Sequence, residues 1–122
     1  MNKQHLVVIF FLVLFSTFSF ANKADVLKVT SNCNSNRVCS FDVTIKHNDT
    51  GWNHYANSFE VLTPTKQVLS KRILHHPHVN EQPFTRSISG VSIPYGINTV
   101  VIRAHDLVHK YGGKQLFVRL RF

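Results

Sequence analysis

The residues with the most chemistry in this chain are its histidines. Seven of them, His47, His54, His75, His76, His78, His105 and His109, follow the first quarter of the sequence. Neutral imidazole is the commonest protein ligand for zinc and copper(II). In "RILHHPHVNEQPFTRS", His76 and His78 are two residues apart and share a face if the segment is extended. In "AHDLVHKYGG", His105 and His109 can converge across a tight loop, with Asp106 able to ligate or to orient an imidazole from behind. The candidate ligand set is therefore His54, His76, His78, His105 and His109, backed by Asp106, for copper(II) or zinc. The single methionine is Met1, so a thioether copper(I) site is excluded. Two other readings stand beside this one. Imidazoles at a rim can form a pH-sensitive partner surface, and histidines in polar loops can simply bond backbone groups.

Whatever the histidines do, strands must position them. Residues 37–47 alternate cleanly, with Cys39, Phe41, Val43 and Ile45 on one face and Asp42, Thr44 and Lys46 on the other. Further strands are expected over 25–32, 57–63, 68–75, 83–93, 99–105 and 114–122. Val100, Ile102 and Ala104 point inward in the sixth, and Leu116, Val118, Leu120 and Phe122 in the seventh. The fifth should bend near Gly90. Seven short strands separated by turn signals predict an all-β fold, a single immunoglobulin-like (fibronectin III-like) antiparallel β-sandwich, with a small barrel as runner-up. In such a sandwich alternate connections share an end. The second-to-third, fourth-to-fifth and sixth-to-seventh connections then bring all seven histidines to one end, and the cysteines lie at the other. Gly112 and Gly113 are expected to supply positive φ in the last of these loops.

The N-terminus reads as a secretory leader over 1–21: Lys3, an apolar run from Leu6 to Phe15, then small residues Ser19 and Ala21 before the cleavage point. Asn22, not cysteine, would follow, so lipid attachment at that junction is not expected. No later run is long enough to span a bilayer. Residues 22–122 form one domain. Of fourteen basic residues Lys3 falls in the leader, leaving thirteen against six acidic ones, a net charge of +7. That balance favours anionic surfaces, while no motif suggests nucleic acid. Cys33 and Cys39 flank a turn sequence and, in an exported chain, predict a disulfide closing a hairpin.

Enzyme readings are weaker. No nucleophile elbow or lone reactive cysteine is present. Ser87 or Ser89 with His105 and Asp106 makes a triad by composition alone. Of the carboxylate pairs, Asp49 with Asp106 can meet between loops, whereas Glu60 and Glu81 have no reason to. A non-enzymatic binding module is expected. The alternative to metal is an envelope or adhesion-type module that uses Trp52, Tyr55 and Tyr111 on a protein or anionic glycan. Glu81 and Arg86 are expected to pair across the bend that presents His75, His76 and His78.

The strings "GWNHYANSFEVL", "HPHVNEQPFTRS", "VSIPYG" and "VVIRAHDLVHKYGGK" resemble a group of small exported bacterial proteins over residues 49–114. The resemblance implies a single-domain envelope protein and assigns no chemistry. That group reads "HGYGG" where this chain has Lys110, and the cysteine pair is not part of its pattern.

Overall fold

The computed structural model describes residues 22–122, so the leader expected over 1–21 lies outside the described residues. The strands are β1 (Asp25–Cys33), β2 (Val38–Lys46), β3 (Ala56–Leu62), β4 (Val68–Ile73), β5 (Phe84–Ser92), β6 (Thr99–Asp106) and β7 (Leu116–Arg119). They form two antiparallel sheets, ordered β1-β2-β5 and β4-β3-β6-β7. This is the fibronectin III-like sandwich the strand pattern predicts. Among the described residues no helix is long and apolar enough to cross a membrane.

Alternation builds the core. Cys39, Phe41, Val43 and Ile45 of β2, and Val100, Ile102 and Ala104 of β6, are all at most 2% exposed. Phe41, Phe59 and Phe84 fill the centre, each contributing roughly 1.5–3 kcal/mol through burial. β3 is buried almost throughout, because β4 and β6 pair with it on either side. Gly90 sits at φ +68, where the β2–β5 register shifts between Cys39 and Phe41; the expected bend is a β-bulge at a residue that tolerates the left-handed region. Cys33 and Cys39 are directly opposed across β1 and β2 and form a disulfide.

Three expectations are corrected. β7 is four residues long, shorter than 114–122. Phe122 is not inward but 43% exposed, lying under the Arg37 guanidinium at 3.9 Å. Arg37 also donates to the carbonyls of Ile93, Pro94 and Ile97, so it holds the chain end and the β5–β6 turn together. Neither Gly112 nor Gly113 has positive φ; Lys110 does, at φ 58. Gly113 is needed for space instead: a Cβ there would meet the Ala24 carbonyl oxygen at 1.8 Å.

Candidate metal centre

The inward rows of β2 and β6 do not stop where their hydrophobic residues stop. In β2 the row Phe41, Val43, Ile45 runs on to His47 and then Asp49, both 2% exposed. In β6 the row Val100, Ile102, Ala104 ends on Asp106, which is fully buried. Two sheets that face each other across the core thus deliver an imidazole and a carboxylate to the same end. The third member comes from the β2–β3 turn, where Gly51 and His54 form a bridge and the His54 amide donates to the Gly51 carbonyl. The turn requires Gly51 at φ +151.

The three side chains converge. His47 Nε2 is 3.2 Å from His54 Nε2, His54 Nε2 is 3.2 Å from Asp106 Oδ1, and His47 Nε2 is 3.8 Å from Asp106 Oδ2. One ligand atom from each residue lies within 4.8 Å of the others. A tetrahedral zinc ion with bonds of about 2.0–2.1 Å separates its donors by about 3.3 Å; the two imidazole nitrogens already stand at about that spacing, while the Asp106 carboxylate meets them through different oxygens, Oδ1 towards His54 and Oδ2 towards His47. Asp106 Oδ1 accepts the amides of Val108 and His109 at 2.9 and 2.6 Å. Its Oδ2 is buried and has no hydrogen-bond partner in the protein. Burial pushes the Asp106 carboxyl up, but those two amides and the nearby His47 and His109 outweigh it and hold it below the usual carboxylate range.

Asp49 organises the cluster from behind. Its Oδ1 accepts from His47 Nδ1 at 2.5 Å and from the Ala56 amide at 3.0 Å. Its Oδ2 accepts the His78 amide at 2.7 Å. Burial raises this carboxyl too, and the bonds from His47, His78 and Ala56 bring it net below its ordinary value. An ionised Asp49 can only accept, so the His47 proton sits on Nδ1 and Nε2 presents a lone pair to the cluster. His54 is fixed differently. Asn22 Oδ1 accepts the Asn48 amide at 2.9 Å, which turns Asn22 Nδ2 towards His54 Nδ1 at 3.2 Å. Neutral His54 therefore carries its proton on Nε2 and donates it to Asp106 Oδ1.

The expected ligands divide. His54 is in the cluster, and His109 stands beside it with ring centroids 5.5 Å apart. Asp106, expected as a ligand or behind an imidazole, is among the converging donors. His78 stacks on Phe84 at 4.0 Å and 6°, both ring nitrogens buried and without a hydrogen bond, Nδ1 standing 3.9 Å from Asp49 Oδ2. Its pKa is lowered by burial first, then by Arg86 and His76. His76 is exposed, its ring 4.6 Å from that of His78, and its Nδ1 bonds the Pro77 carbonyl. His105 alternates with Asp106 and so lies on the other face of the sheet. There its Nδ1 donates to Asn57 Oδ1 at 2.5 Å, and burial, then Lys110, lower its pKa. The structure does not bring His76, His78 and His105 to the other donors.

Trp52, 65% exposed, meets Tyr55 edge-on at 5.7 Å beside the cluster. Tyr111 is on the outer face with His105, 4.8 Å away; burial and Glu60 raise its hydroxyl pKa. Arg86 donates to Glu81 at 3.0 Å in a solvent-exposed pair, which contributes little. It is Gln82 that ties this loop to the centre, accepting the His47 amide at 2.9 Å and donating to the His78 carbonyl at 3.0 Å. Sequence reasoning left His47 and Asp49 outside the ligand set. The signal was present: both continue the odd-numbered inward row of β2.

No family model matches the chain, and no solved structure matches it. The chain is similar to a protein of Halomicrobium mukohataei described as "Putative lipoprotein", 38% identical over 96 residues. Those residues are 79% of this chain and 47% of that protein, so the chain spans about half the length of the curated relative it matches.

Proposed function

We propose that this chain is an exported, envelope-associated binding module that holds a divalent transition-metal ion, zinc first and copper(II) second, through His47, His54 and Asp106. One observation carries the reading: the fully buried Asp106 carboxylate keeps an oxygen, Oδ2, without a hydrogen-bond donor 3.8 Å from His47 Nε2, beside a pair of imidazole Nε2 atoms only 3.2 Å apart. Charge supports it. With both imidazoles neutral, the buried cluster carries the two negative charges of Asp49 and Asp106, which one divalent cation balances. Asp49 behind His47 is the outer carboxylate that zinc-bound histidines commonly have. His109 is the nearest candidate for a fourth ligand, and a water molecule is the alternative occupant. Export is supported by the leader pattern, by the disulfide and by the similar protein's description as a lipoprotein.

The module binds rather than catalyses in this reading. Ser87, on β5, donates to Asp42 at 2.6 Å, and His105 is on β6 in the other sheet, which divides the serine–histidine pairing drawn from composition.

Calorimetry with zinc and copper(II) at neutral pH tests the proposal. One ion per chain is expected. Asp106→Asn, which keeps an oxygen for the two loop amides but loses the charge and one donor, should weaken binding at least 100-fold while leaving the fold intact by circular dichroism. Binding at the same strength in Asp106→Asn would refute it.

A further inference from the structure

The outward face of the four-stranded sheet has a composition that neither the core nor the metal centre requires. Lys71, Glu60 and Arg103 form one cross-strand row over β4, β3 and β6. Arg119 of β7 lies on the same face, opposite Thr99. Lys110 sits at its upper rim, close enough, with Lys71, to bear on His105. With strands about 4.8 Å apart, Lys71 and Arg103 are about 10 Å apart. Arg119 lies four residues, about 13 Å, further along.

The face exposes no carboxylate to offset these cations. Of the six acidic residues, Asp49 and Asp106 are buried in the metal centre. Glu60 is 5% exposed and accepts from Arg103 Nε at 2.8 Å. Asp42 is on β2 in the other sheet, Asp25 accepts the Lys114 amide, and Glu81 pairs with Arg86 in the β4–β5 loop. Two aromatic rings sit among the cations. Tyr111 lies under the Arg103 guanidinium at 3.8 Å. Phe117, paired with Val101 and therefore pointing outward, is 70% exposed.

We infer that this face binds a linear anionic polysaccharide, its carboxylate or sulfate groups meeting Lys71, Arg103, Lys110 and Arg119 and a sugar ring lying on Phe117. The cations are spread over four strands and the rim of a broad sheet, so they match a polymer with spaced charges better than one compact anion. The flat exposed ring of Phe117 beside them suits the apolar face of a pyranose. The attraction is electrostatic and must weaken with salt.

The test uses polygalacturonate and heparin, with neutral dextran as control, in the presence of a metal chelator so that the metal centre plays no part. Both anionic polymers should bind at low salt and dextran should not. Lys71→Gln/Lys110→Gln should lower affinity at least tenfold and flatten the salt dependence. Lys28→Gln/Lys46→Gln, which removes the same charge from the opposite sheet, should lower it less than twofold. Phe117→Ala should weaken the polysaccharides several-fold without changing retention on a sulfate-bearing cation exchanger. Equal losses in the two double variants would overturn the inference by reducing it to net charge. Absence of binding, or stronger binding to vesicles of anionic phospholipid than to either polymer, would overturn it as well.

Discussion

At the scale of single residues, the centre depends on where two protons sit. Asp49 keeps the His47 proton on Nδ1 and leaves Nε2 bare, which is the state a metal ligand needs. Asn22 does the reverse for His54, because its amide nitrogen faces Nδ1. Zinc at this point must displace the His54 Nε2 proton, and Asn22 opposes the tautomer that results. Asn22→Asp should therefore tighten zinc binding about tenfold, since a carboxylate accepts from both His54 Nδ1–H and the Asn48 amide. Unchanged or weaker affinity in that variant, read by competition with a chromophoric chelator, would contradict this account of the tautomers.

At the scale of elements, the β6–β7 loop shows how a turn can be built around an unfavourable residue. Lys110 holds φ 58, a conformation that costs an L-residue about 1 kcal/mol relative to glycine. The resembling sequences carry glycine at that position. Lys110→Gly should raise the unfolding free energy by about 1 kcal/mol in urea, and a loss of stability would show that the Lys110 Nζ bond to the Leu107 carbonyl outweighs the backbone cost. The same loop marks the limit of reading turns from composition. A glycine pair suggests positive φ, but Gly113 is there because the chain passes against the Ala24 backbone, a contact 89 residues away in sequence that no local pattern reveals.

At the scale of the whole molecule, the sandwich has a titrating end. His78 has a lowered pKa, by burial first and then by Arg86 and His76, so the unfolded chain takes up a proton before the folded one. Its share of stability is present above the unfolded value of 6.5 and drains as pH falls through it towards the folded value. Asp49 and Asp106, with lowered pKa values, contribute above 3.8 and lose that contribution as pH falls further. The metal-free protein should therefore lose stability in two windows, one below 6.5 and one below 3.8. His105, whose pKa burial and Lys110 also lower, shares the first window. His78→Phe, which preserves the stack on Phe84 and the amide bond to Asp49, should shrink that window to the His105 part and add about 1 kcal/mol at pH 5. An unchanged slope in urea melts across pH 5–7 would contradict the assignment to His78.

Period-two alternation made the fold legible, since it names the inward residues of β2 and β6 and, through the turn spacing, the end at which the histidines gather. The candidate site was only half legible. His54, Asp106 and the neighbouring His109 were visible as loop residues of suitable chemistry. His47 closes the strand 37–47 and Asp49 falls in the turn that follows, and hydrophobicity marks the inward row only as far as Ile45, although the row continues through both. Strand alternation and shared loop ends bring His76, His78 and His105 to the same end of the sandwich, and side-chain direction then separates them: His105 faces away from Asp106, and His78 lies flat on Phe84.

Whether His47, His54 and Asp106 hold one ion is decided by anomalous diffraction at the zinc edge, from crystals grown with stoichiometric zinc. A single peak is expected about 2 Å from His47 Nε2, His54 Nε2 and an Asp106 oxygen. A peak on His76 and His78, with none between the two sheets, would contradict it.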